Sequence, residues 1–224
     1  RARRVSLRVT SAGHVEVVAP LGTDPRWIAR LVRDKRDWIA HQQSRAAQRM
    51  AAIAAEPLLP QVIALRAVGE TWHVEYRTTD GDGVELSARP GCRLLIRGAV
   101  GEVALCQRTL RAWLAYIARE RLGPWLARLG KEQGLAYRRL AIRSQKSRWG
   151  SYSSRGTISL NCRLLFLPPE LVNSVMLHEL CHSLEMNHSP AFWAALSARD
   201  PVVGQSRVAL RSAWRYLPRW VQDD

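Results

Sequence analysis

The sequence predicts an α+β protein, because segments with strand and helix periodicity follow one another without regular alternation. Over much of the first hundred positions, apolar and polar residues alternate between turn-forming residues, as in β-strands. Later segments repeat apolar residues every three to four positions, as in amphipathic helices. A hydrophobic content of 47% over 224 residues is enough to form a buried core.

The N-terminal segment predicts a β-hairpin followed by one long helix. Residues 4–18 alternate around a Ser-Ala-Gly turn, which indicates two paired strands. Asp24 ahead of Pro25 places a capping residue before a proline at the first helical position. Helical spacing then extends to about residue 55, and Pro57 should end the helix.

The next segment predicts strands and then helices. Residues 61–97 contain four short runs with strand character, separated by Gly-Asp-Gly and Pro-Gly turns. Residues 102–122 have helical spacing. The Gly123-Pro124 pair should interrupt this helix before a further one begins, because proline cannot donate the helical hydrogen bond.

The C-terminal part predicts a short sheet surrounded by helices. Residues 138–143 and 156–166 have strand character. Prolines at 168 and 169 should open the next helix, and the Ser189-Pro190 pair should open another by the same logic of cap and proline. The predicted fold is a β-rich N-terminal part with one long helix, followed by helices around a sheet.

Composition indicates a cytoplasmic globular protein with two regions. The change of pattern near residue 100 predicts a β-rich region over 1–100 and a second domain over 101–224. The sequence contains no run of about 18 apolar residues, so we expect no membrane-spanning helix. The basic N-terminal segment lacks the apolar stretch of a secretory signal. The four cysteines are widely separated and form no CxxC pair, so we expect reduced thiols.

The stretch MLHELCHSLEMNHSPAFW at 176–193 holds half of the six histidines in the chain. On a helix, His178 and His182 lie about 40° apart around the axis, so both imidazoles could bind one zinc ion. Glu179 is rotated by about 100° from His178, which suits contact with a water on the metal. This HExxH pattern supplies two metal ligands and a general base.

A catalytic zinc site needs a third protein ligand and an open fourth position. His188 is the first candidate, because Asn187 suggests that the helix has ended and that the chain can turn back. Glu185 is the alternative, since it lies three residues after His182 on a nearby face of the helix. The spacing predicts one Zn²⁺ per chain and leaves the third ligand open between these two residues.

Cys181 lies about 60° around the helix axis from His178, so we interpret it as a packing residue rather than a ligand. Three histidines without a fourth Cys or His ligand indicate an open catalytic zinc rather than a closed structural one. Zinc lowers the pKa of bound water, so the expected activity is hydrolysis with Glu179 as general base, and the default substrate is a peptide bond. Two alternatives remain. One is a metal-dependent hydrolase of a non-peptide substrate such as a nucleotide, and the other is a nucleic-acid-binding module with a mainly structural zinc.

Five motifs carry a resemblance to a known family: RWGS at 148–151, ISLN at 158–161, LPPEL at 167–171, HELCH at 178–182 and NHSPAFW at 187–193. Together they resemble the YgjP-like metallopeptidases, which are related to the SprT-like and WLM proteases. The basic RRVSLRV opening resembles the family as well. The resemblance implies His178, His182 and His188 as zinc ligands, and Glu179 as general base.

The resemblance also implies a minigluzincin-like core, in which the HExxH helix lies next to a short antiparallel sheet. Its edge strand, expected at 157–163, could hold an extended peptide by strand addition. Family members often have Cys where this chain has Tyr152. We expect Tyr152, Asn161 and Arg148 as candidate substrate or oxyanion contacts. The metzincin pattern is rejected, because Glu185 occupies its glycine position.

The chain is strongly basic, with a formal net charge of +15. The span 136–169 contains seven basic residues and no acidic one. This charge makes nucleic acid a possible partner besides a peptide or protein substrate, although a merely solvated basic surface would look the same. The candidate nucleic-acid contacts are Arg138, Arg139, Arg143 and Lys146.

Overall fold

The computed structural model describes residues 5–10 and 13–222. Within them, six α-helices and three small sheets form an α+β fold, which confirms the predicted class. The chain forms two compact units, Arg1–Pro57 and Leu58–Asp224. The predicted domain division near residue 100 stays a prediction. Among the described helices, none combines the length and apolar character that a membrane span requires.

The first unit begins with a β-hairpin. Strand β1 (Ser6–Val9) pairs antiparallel with β2 (Val15–Val18). The described strands confirm the hairpin predicted over 4–18, while residues 11–12 of its turn lie outside the described part of the chain.

Two helices follow the hairpin in the first unit, α1 (Pro25–Asp34) and α2 (Arg36–Ala55). The Asp24 carboxylate accepts a hydrogen bond of 2.8 Å from the backbone N–H of Arg26, which confirms the predicted start. The prediction of one uninterrupted helix is wrong. Lys35 ends α1 with φ −100° and ψ 13°, outside ordinary helical geometry.

The second unit opens with a four-stranded mixed sheet in the order β3-β4-β6-β5. Its strands are β3 (Val62–Leu65), β4 (Glu70–Thr78), β5 (Val84–Arg89) and β6 (Arg93–Gly98). Strands β4 and β6 run parallel, and the other neighbours run antiparallel. All four strands predicted over 61–97 are present, because the turn signals between them are local.

A single long helix, α3 (Val103–Gln133), contains Pro124 in its interior. The predicted interruption at Gly123-Pro124 is therefore wrong. An interior proline costs about 3 kcal/mol in an isolated helix. Here Leu122 and Leu126, on either side of the proline, are fully buried in the core. Packing on both sides of the proline outweighs the lost hydrogen bond and keeps the helix continuous.

A second, three-stranded sheet lies in the order β7-β9-β8. Strand β9 (Thr157–Asn161) pairs parallel with β7 (Arg139–Arg143) and antiparallel with β8 (Gly150–Tyr152). The predicted edge strand at 157–163 is thus central, and the sheet is mixed rather than antiparallel. Strand β8 is an edge of this sheet and was not predicted, because three residues are too few for a periodic signal.

Three helices complete the unit: α4 (Pro169–Cys181), α5 (Pro190–Arg199) and α6 (Val203–Arg211). Helix α4 packs against α3, β8, β9, α5 and α6. The hydroxyl of Ser189 accepts a hydrogen bond from the backbone N–H of Phe192, so the predicted start of α5 is confirmed. Helix α4, with HExxH at its C-terminal end, thus contacts the three-stranded sheet as well as α5 and α6.

Candidate metal centre and active site

Three imidazoles converge where α4 ends. Nε2 of His178 lies 3.0 Å from Nε2 of His188. The ligand nitrogens of His178, His182 and His188 all lie within 4.8 Å of one another, and no second such group is found among the described residues. Tetrahedral zinc with bonds of 2.0–2.1 Å would separate its ligand nitrogens by about 3.3 Å. The triad therefore fits a divalent metal ion.

The turn after α4 orients His182 and returns the chain to His188. Nδ1 of His182 lies 3.0 Å from the backbone carbonyl oxygen of Glu185. Because a carbonyl can only accept, Nδ1 carries the proton, and Nε2 keeps its lone pair for a metal. The Glu185 carboxylate accepts instead from the backbone N–H of Asn187 at 3.3 Å. The structure thus brings His188 into the triad and uses Glu185 to orient His182.

Burial keeps the first two histidines neutral. It lowers the pKa of His178 to about 4, and the charges of His182, His188 and Arg207 act in the same direction. Burial also lowers the pKa of His182. Neutral imidazole is the form that binds metals, so protons do not compete for these two ligands near pH 7.

Glu179 belongs to α4, and its side chain lies against β8. The residue is only 6% exposed. Burial raises the pKa of its carboxyl to about 8, while the positive charge of Arg148 opposes this shift. Gly150 of β8 lies against it. A Cβ at that position would lie 2.8 Å from both Cγ and Oε1 of Glu179. Any residue other than glycine would therefore force the carboxylate to move.

Two of the predicted substrate contacts lie near the triad. Tyr152 is half-buried on β8, with its ring centroid 6.4 Å from that of His182. Arg148 is exposed, and its charge acts on Glu179. Tyr152 thus lies beside the triad, and Arg148 lies close enough to Glu179 for its charge to act there.

Asn161 has a different environment from the other predicted contacts. It is fully buried, and its Nδ2 donates to the backbone oxygens of Gln145 (2.7 Å) and Arg148 (2.9 Å). Its Oδ1 accepts from the backbone N–H of Arg163 at 3.1 Å. This side chain fixes the loop that leads into β8, and we do not include it among the proposed substrate contacts.

The four predicted nucleic-acid contacts, Arg138, Arg139, Arg143 and Lys146, are all exposed. Arg139 and Arg143 border a groove of about 410 Å³ together with Arg119 of α3. Arg163, from the same basic span, is instead buried and donates to the backbone oxygen of Gln145. The basic surface therefore draws on both α3 and β7.

Helix α6 contributes to the site, although no feature of the sequence predicted this. A cleft of about 380 Å³ borders His178 and Glu179, and Arg207 and Arg211 of α6 line its other side. The Arg207 guanidinium lies 4.1 Å from the ring centroid of Trp193. Two arginines at helical spacing look like a solvated face in the sequence, so no local signal distinguishes them.

A comparison with protein-family models assigns a class to the chain. A family model described as "YgjP-like, metallopeptidase domain" matches residues 3–213. No curated protein matches the chain. Among solved structures, the metallopeptidase zymogen of Pyrococcus abyssi abylysin is 24% identical, with a TM-score of 0.32. That match covers 38% of this chain and 90% of the other.

Metal content separates the roles of the residues around the triad. Alanine at His178, His182 or His188 removes a ligand nitrogen, so metal content should fall well below one ion per chain. Glu185→Ala keeps the backbone carbonyl that orients His182 and should retain the metal. Atomic emission on purified, folded variants provides the measurement. Metal kept in His188→Ala but lost in Glu185→Ala would overturn this assignment.

Proposed function

Because the chain belongs to the YgjP-like metallopeptidase family, we propose that it hydrolyses peptide bonds with one zinc ion held by His178, His182 and His188. The observation that carries this proposal is the position of Glu179, a buried carboxylate beside three converging imidazoles at the end of one helix. Zinc fits this set of donors, since three imidazole nitrogens leave a fourth tetrahedral position open.

When bound, the metal would polarise the peptide carbonyl and lower the pKa of water. The other roles fall to residues of the chain. Glu179 would take a proton from the attacking water and later deliver it to the leaving nitrogen. The Glu185 carbonyl would hold His182 in the required tautomer. Arg148 and Tyr152 are the proposed contacts for the negative charge that develops on the carbonyl oxygen.

Glu179→Gln tests the assignment of the general base. The amide has nearly the same size but cannot accept the proton, so hydrolysis should fall by roughly 10²–10⁴-fold. Zinc should stay near one per chain. The measurement is kcat/KM on a quenched fluorescent peptide pool, with metal content determined in parallel. Glu185→Gln is the matched control and should keep both properties. Loss of zinc in Glu179→Gln would contradict the division of roles.

We propose that the substrate backbone pairs with β8, the edge strand beside α4. Backbone hydrogen bonds at Trp149 and Ser153 join the two ends of β8 to β9. Because such bonds alternate along an antiparallel pair, Ser151 also faces β9. The N–H and C=O groups of Gly150 and Tyr152 then point away from the sheet, where an extended peptide can bind them.

Backbone N-methylation of a cleaved peptide tests this pairing. Methylation removes an N–H donor and adds bulk, so it should matter only at residues whose N–H faces β8. We expect kcat/KM to fall by about tenfold at such positions and little at the residues between them. Equal tolerance at every position would argue against strand addition. The unmethylated peptide, assayed in the same series, is the reference.

We also propose that nucleic acid binds the basic surface, so that associated proteins reach the metal centre. The supporting observation is the groove that Arg119, Arg139 and Arg143 line together, because none of the described residues that line it is acidic. Phosphate groups would supply the missing negative charge.

Salt dependence tests the nucleic-acid proposal. Neutralising about four phosphates predicts a slope of log K against log[salt] near −3.6 on duplex DNA. Alanine at all four predicted contacts, Arg138, Arg139, Arg143 and Lys146, should weaken binding and flatten this slope. A control carries the same charge change at four other exposed arginines, Arg89, Arg93, Arg97 and Arg108. Absence of salt-dependent binding by the unmodified protein would refute the proposal.

A further inference from the structure

The cleft beside the metal centre is large enough to take part of a substrate. Its volume of about 380 Å³ lies within the range of about 300–1,000 Å³ found for ligand sites. One side is formed by β8 and α4, including Gly150, His178 and Glu179. The other side is formed by α6 and by Trp214, which stacks on Trp149 with ring centroids 4.0 Å apart. A group bound here would lie next to the reacting bond.

The charge of this cleft is unbalanced. Arg207 and Arg211 lie one helical turn apart on α6, and both line it. Neither takes part in an ion pair among the described residues. Among the described residues that line the cleft, Glu179 is the one that carries a carboxylate. Two guanidinium groups thus border a cleft with aromatic walls and lack a negative partner there.

Neighbouring groups do not supply the missing charge. The Asp200 carboxylate lies behind the lining, where it is buried and accepts a 2.6 Å hydrogen bond from the Ser174 hydroxyl. Arg207 rests on the ring of Trp193, which orients its guanidinium without neutralising it. Among the described residues, the Arg211 guanidinium lies over no aromatic ring. A ligand with two anionic oxygens would supply a negatively charged hydrogen-bond acceptor to both guanidinium groups.

We propose that this cleft binds a carboxylate of the substrate next to the bond that is cleaved, so that the enzyme selects acidic peptides. This inference rests on the proposed peptidase function. The carboxylate has two possible sources, an Asp or Glu side chain or the C-terminus of the peptide, and guanidinium binds both in the same way. The stacked Trp149 and Trp214 would pack against the aliphatic part of the bound residue.

Paired peptides separate charge from shape. In the first pair, the two peptides differ by Glu or Gln at one residue that flanks the cleavage site. In the second pair, they differ by a free or an amidated C-terminus. With zinc-loaded full-length protein, we expect kcat/KM to favour the charged member of one pair by about tenfold or more. A preference in the first pair assigns the cleft to a side chain, and a preference in the second assigns it to the terminus.

Variants of α6 connect that preference to the two arginines. In Arg211→Gln, and more strongly in Arg207→Gln with Arg211→Gln, the ratio between charged and neutral peptides should fall towards one. Arg211→Glu should reverse the preference towards a Lys-containing peptide. The matched control is Arg108→Gln, an exposed arginine of α3 that lines none of the clefts described above, and it should keep the ratio of the unmodified protein.

The outcomes separate this inference from the function on which it rests. Equal cleavage of charged and neutral peptides by the unmodified protein would overturn the inference alone. A preference for the charged peptide that survives in all three α6 variants would do the same. Absence of peptide cleavage by the zinc-loaded protein would overturn both. Inhibition by inorganic phosphate or a nucleoside triphosphate, without any preference between Glu and Gln peptides, would assign the arginines to a phosphate ligand and refute carboxylate selection.

Discussion

The burial of α4 is the constraint on which the site depends. Nine of its residues are buried, and they point in all directions from the helix axis. The largest apolar ones are Leu171, Val172, Val175, Met176, Leu177 and Leu180. A helix held on every side cannot rotate or slide, because interiors are close-packed. His178, Glu179 and His182 take their positions from this packing, and only His188 must be brought in by the following loop.

The same burial determines the electrostatics. It raises the pKa of Glu179 to about 8 and lowers that of His178 to about 4, since a low-dielectric environment disfavours either charge. Neutral imidazoles are ready for a metal, whereas a neutral carboxyl is not yet a base. A positive charge nearby lowers the pKa of the Glu179 carboxyl again, and it also keeps the imidazoles neutral. Arg148 provides part of that charge, and a cation in the triad would provide more. The protonation state of Glu179 and the occupancy of the triad would therefore depend on each other.

Local chemistry made much of this fold predictable, and longer-range packing accounts for the errors. The cap at Ser189 and the HELCH spacing specify their own surroundings, and the family match confirms the resemblance that the motifs suggested. Local rules predict that Pro124 ends a helix. The helical residues before and after it are buried in the same hydrophobic core, and α3 therefore continues through the proline. The central position of β9 depends on strand order, which no single segment encodes. Strand β8 is too short to show a period.

Gly150 shows how the parts without a motif shape the site. It lies against the Glu179 carboxylate, contributes to the edge that we propose for the substrate backbone, and lines the cleft that reaches α6. A side chain at this position would displace the Glu179 carboxylate by collision and alter the other two features as well. In the function that we propose, the HExxH helix supplies the reacting groups, and α6 and β8 select the substrate. Because these elements meet only in the folded chain, the proposed selection follows from tertiary packing rather than from any one motif.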